Sequence, residues 1–143
     1  MTVEESIRTT TDRRLRYAAI GFAVALLVHG ADHARRGFDV VSTQIEWAGN
    51  TQVVLAVIAV ALVFRGHRWA PYAAIVVGFA SAPGFSAAHL LPTWGVFSDS
   101  YLDAPAAAGV TAFSWVTAVL EIAADLVFGW VGVQTLRLRR RGS

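Results

Sequence analysis

Four long apolar runs, separated by short polar interruptions, make up most of the chain, and no stretch keeps the two-residue period of a strand. The first run follows Arg13, Arg14 and Arg16 and ends in His29-Gly30-Ala31-Asp32-His33. The second ends at the turn Arg65-Gly66-His67-Arg68, the third is closed by Pro92, and the fourth runs into a basic tail. Crossing a bilayer takes about 20 apolar residues, which predicts helices over 15–36, 47–64, 69–91 and 109–136. Pro71 falls in a first turn, where proline is tolerated, whereas Pro83 is interior and is expected to kink its helix. Residues 1–12 read as a short, loosely ordered polar tail, and 92–108 as the longest loop. The expectation is all-α: an integral membrane four-helix bundle, up-down-up-down, forming a single domain over 1–143.

Composition strengthens that reading. Of 143 residues, 55% are hydrophobic and only 15% charged, which moves the chain from the soluble to the membrane class. A basic start before an apolar run resembles a signal peptide. Cleavage after Ala31 or Ala34 would place His29 or Asp32 where a small residue is required, so a retained helix is expected instead. There is no cysteine, which excludes disulfides and thiolate chemistry.

All twelve basic residues are arginine, and they flank the apolar runs rather than form a basic face. Nucleic acid is therefore not an expected partner; the lipid bilayer is. Ten of the twelve fall in the N-terminal stretch, the 65–68 turn and the C-terminal tail, leaving Arg35 and Arg36 on the other side. By the positive-inside rule both termini are expected to be cytoplasmic, in a multi-pass protein of the cell membrane.

The candidate chemistry is confined to one end of the bundle. His29 and His33 are i,i+4 and share a helix face, as do Glu121 and Asp125, with Ser114 and Thr117 extending the second stripe. Ser81, Phe85 and His89 share a face of the third run, and Gly78 and Ala82 offer a small-residue packing surface. Glu46, Asn50 and Gln52 add polar groups on the second. With Tyr17 and Leu136 taken as matching interface positions, helical rise pairs His29 with Asp125 and His33 with Glu121, and His89 closes the top.

That constellation fits several chemistries. Imidazoles and carboxylates on facing helices can converge on zinc, copper or iron, with His29, His33, His89, Glu121 and Asp125 as the candidate ligands. Two histidines could instead bind haem axially, or the acidic and histidine groups could handle protons. In the structural alternative the polar network holds helix register, and the chain is an accessory subunit or scaffold that associates with other membrane subunits or with itself. Asp32 and Arg36 are spaced for a local ion pair. Asp99 and Asp103 are expected to be solvated in the loop, and His67 in its turn. No Gly-x-Ser-x-Gly, His-Glu-x-x-His or phosphate-binding glycine loop occurs, and no catalytic residue is assigned.

Overall fold

The computed structural model describes residues 3–141. Four helices account for most of them: α1, Val3–Arg36; α2, Thr43–Phe64; α3, Ala70–His89; and α4, Ala112–Arg141. All four are long and apolar enough to cross a membrane. Chain neighbours pack on each other and α1 closes against α4; the α3–α4 and α1–α4 contacts are the most extensive.

Three helices are longer than the apolar pattern alone predicts. The stretch read as a loose tail is helical from Val3, while residues 1 and 2 lie outside the described residues. α4 continues beyond Leu136 to Arg141. The two extensions support each other, because Arg139 donates to Asp12 at 2.8 Å. α2 starts earlier than expected, at Thr43, because the Ser42 hydroxyl accepts the Ile45 N–H at 3.2 Å and caps the helix. At the other end of α2, Gly66 takes a φ of 61°, which lets the His67 N–H reach back to the Leu62 carbonyl at 3.0 Å. α3 continues as one helix through Pro83.

Buried positions on α4 recur at helical spacing: Ser114, Thr117, Glu121, Asp125, Phe128 and Thr135. Most of them are polar. Glu121 and Asp125 are 0% exposed, whereas Leu27 is 73% and Val57 62% exposed. A water-soluble fold arranges its residues the other way round. Polar groups inside and apolar ones outside are what a lipid surround selects.

The end carrying the termini has an apolar core, with Leu15, Ala19, Phe22, Ala59, Val63 and Phe128 buried together. Phe22 and Phe128 stack there at 4.8 Å between ring centroids. Glycines let α3 and α4 approach closely. A Cβ on Gly78 would collide with the Asp125 carbonyl and the Gly129 backbone. α2 behaves differently: its buried residues, Ala56, Ala59 and Val63, all fall in the half near the Arg65 turn. The other half stands away from the bundle.

The close approach at Gly78 is testable. Gly78→Ala should destabilise the protein by about 1–3 kcal/mol through overpacking, whereas Gly21→Ala, which meets open space, should stabilise by about 0.5–1 kcal/mol through helix propensity. Unfolding in a denaturing-detergent titration reads both. Equal shifts would contradict the packing described.

Candidate metal centre

The site is assembled by a loop that folds back over the ends of the helices. The last carbonyls of a helix lack intrahelical donors, and here the loop supplies them. The Asp99 and Tyr101 N–H groups donate to the Ala88 and His89 carbonyls, each at 2.9 Å. That backbone pairing carries the Asp99 side chain into the bundle, where it is buried and not solvated as its loop position suggests. Arg36 meets it with two hydrogen bonds, one to Oδ1 at 3.1 Å and a shorter one to Oδ2. Arg36 Nε also lies 3.3 Å from Asp32 Oδ2, so the expected i,i+4 ion pair forms as part of a larger network.

The neighbouring residues complete this network. Arg35 donates to Asp32 Oδ1 at 2.8 and 3.0 Å, and to the Gly109 carbonyl at 2.8 Å. Tyr101 lies under the Arg36 guanidinium at 5.2 Å and against the His89 ring at 4.7 Å. Burial pushes the Tyr101 phenol above its ordinary range. Asp103 is exposed as expected, and hydrogen bonds from Ser100 and Thr93 hold its carboxyl below the usual range.

Beneath this network the three histidines converge. His29, His33 and His89 can each offer a nitrogen within 4.8 Å of the others. Their rings pack against one another at centroid separations of 4.9, 5.0 and 5.6 Å. Phe85 closes one side, at 5.1 Å from the His29 ring. Rings in mutual contact leave no slot between them for a porphyrin, which counts against haem.

Hydrogen bonds fix which nitrogens are free. His89 Nδ1 sits 3.1 Å from the Asp99 carbonyl, so it donates and leaves its Nε2 lone pair available. His29 is 2% exposed, and neither of its ring nitrogens has a partner. His33 is different. A guanidinium only donates, and Arg36 Nη2 lies 3.2 Å from His33 Nδ1, so Nδ1 accepts and Nε2 carries the proton.

Glu121 and Asp125 fall outside the group of three. Contacts between α1 and α4 explain why the depth pairing shifts: steps up α1 from Asp12 to Phe22 to Arg35 match steps down α4 from Arg139 to Phe128 to Ser114. On that antiparallel register Glu121 is level with His29, and Asp125 is level with Ala25, one turn from the expected match. The two carboxylates form a second buried centre, with all four oxygens lacking hydrogen-bond partners. Asp99 and Tyr101 are the site residues that sequence reasoning missed, and Arg36 was expected only in its pair with Asp32. The signal for them was the arginine pair on the minority side of the topology count.

No known family model, characterised protein or solved structure matches the chain.

The Arg36–Asp99 pair can be tested by comparing two loop acids. Asp99→Ala leaves a buried guanidinium without its main partner and should cost about 3–5 kcal/mol. Asp103→Ala, at an exposed position, should cost far less. Detergent-titration unfolding measures both, and similar losses would refute a buried pin.

Proposed function

We infer that the chain is a polytopic membrane protein that binds a divalent transition metal through His29, His33 and His89. The observation that carries this reading is the convergence of the three donors around His29, whose buried ring nitrogens have no hydrogen-bond partner among the described residues. A buried polar atom without a partner costs free energy, and an ion at the centre of the group would remove that cost. The donor set suits zinc, copper or iron. The His89–Asp99 carbonyl contact is the kind of outer support that orients metal-binding imidazoles. With three protein ligands the ion keeps a position open for a further group.

In the bilayer both termini face the cytoplasm, and the histidine centre occupies the opposite half. The arginine distribution supports that orientation, and the apolar exterior supports insertion. Glu121 and Asp125 are assigned no ligand role. The chain is not assigned catalysis, and association with other membrane subunits is left as a property of its apolar surface.

Two experiments test the reading. Protein purified in mild detergent, without chelators or a histidine tag, should carry near-stoichiometric zinc, copper or iron by elemental mass spectrometry. His29→Ala and His89→Ala should abolish it. His33→Ala should weaken it less, because metal binding at His33 must displace Arg36 from Nδ1. Glu121→Gln should retain the metal. Acidification should release it, since protons compete for the imidazole lone pairs. Folded wild-type protein without metal would sink the assignment.

The absence of cysteine makes the topology directly readable. Single cysteines at Ser98 and His67 should react with a membrane-impermeant thiol reagent from opposite faces of the cell membrane. Labelling of both from one face would rule out the orientation.

A further inference from the structure

α2 leaves the bundle beside the histidines, and the space it vacates is a cavity of about 750 Å³ between α1, α2 and α3. That is the size of a pocket for a small organic molecule, much larger than a metal ion and its water require. His29, His33 and His89 line one wall. Glu46, Asn50 and Gln52 line the facing wall on α2. Leu26, Val53 and Phe85 add apolar lining, and the exposed rings of Trp94 and Phe97 also border the space. The distribution is that of an amphiphile site, with polar groups gathered on two facing walls and apolar surface around them.

The buried atoms without partners specify the head group. His29 presents two ring nitrogens, and Gln52 presents a donating Nε2; all are buried and unbonded. With an ion on one His29 nitrogen the other carries its proton, and Gln52 Nε2 also donates, so a group serving both must accept. A hydroxyl does so, and its oxygen can also complete a three-histidine metal centre. Glu46 across the same cavity opposes the pull of the ion on a carboxylate head, whereas a neutral hydroxyl meets no such repulsion.

We propose that this cavity binds a lipid-soluble alcohol, a molecule with an apolar body and a hydroxyl head set against the three histidines. The proposal deepens the metal reading and rests on it for the contact between head group and ion. The bilayer is the source of the ligand, because the outer half of α2 has no buried residue to seal it against lipid.

The test uses metal-loaded full-length protein in phosphatidylcholine nanodiscs with two photoreactive probes, diazirine-bearing hexadecanol and diazirine-bearing hexadecanoic acid. Cross-links are mapped by peptide mass spectrometry, and metal content is measured on the same samples. The alcohol should label the segment from Glu46 to Val53 and the region around Phe85, and the acid should label these far less. Gly84→Leu places a side chain where a Cβ meets open space in the cavity lining. It should abolish this labelling while metal is retained. Gly49→Leu repeats the test from the facing wall if the first variant fails to fold.

Cross-links spread over all lipid-facing helices, and insensitive to either leucine, would mean ordinary annular lipid and overturn the proposal. Equal cavity labelling by the acid would overturn the hydroxyl assignment. Wild-type protein without metal would instead overturn the preceding reading and the head-group contact that depends on it.

Discussion

The contact between Arg36 and Asp99 is the constraint on which the polar end of the molecule depends. An arginine at the end of an apolar helix could extend its charge into the headgroup region. Here it turns inward, 8% exposed, and takes hold of a carboxylate from a loop more than sixty residues away. Burying either charge alone would cost several kcal/mol, so the loop and α1 are held as one unit. Through that unit the loop backbone satisfies the α3 carbonyls, the Asp99 carbonyl orients His89, and Arg36 occupies one nitrogen of His33. The histidine centre is thus built from the ion pair downward.

The two ends of the bundle solve different problems. Near the termini, Phe22 stacks on Phe128 and glycines draw α3 against α4, giving tight, largely apolar packing. Toward the loop, polar side chains replace that packing, and α2 no longer seals the structure. The cavity follows from this division: its largely apolar lining includes the unpartnered nitrogens of His29 and Gln52, where a well-packed bundle would place aliphatic side chains. Glu121 and Asp125 belong to the tightly packed α3–α4 side, separate from the histidines, which explains how a polar interior can contain two centres.

Much of this was legible in the sequence. Four apolar runs of spanning length predict four helices, and the i,i+4 spacing of His29 and His33 places both rings toward a common partner. The helical spacing of Phe85 and His89 likewise puts them on one face, which the structure packs against His29. The register between α1 and α4 was not legible, because hydropathy ends at Leu136 whereas the helix ends at Arg141, held by Arg139 and Asp12. That error of one turn moved the carboxylates onto the wrong histidines. Asp99 was hidden for another reason. Loop acids are usually solvated, and only the tertiary return of the loop onto α3 carries this one inside. The cavity also arises from how α2 packs, although Glu46, Asn50 and Gln52 already marked its wall as polar.

As metal ligands the three histidines would not be equivalent, and the hydrogen bonds say why. His29 gives up nothing on binding an ion, and His89 keeps its bond to the Asp99 carbonyl while offering Nε2. His33 cannot bind without loss. If Nδ1 ligates, it displaces Arg36 directly. If Nε2 ligates, its proton moves to Nδ1, where it meets the Arg36 donor. Either way Arg36 leaves His33 but keeps Asp99 and Asp32. The ion pair that builds the site therefore survives occupation of the site, and the third ligand is the one whose engagement is felt by the loop.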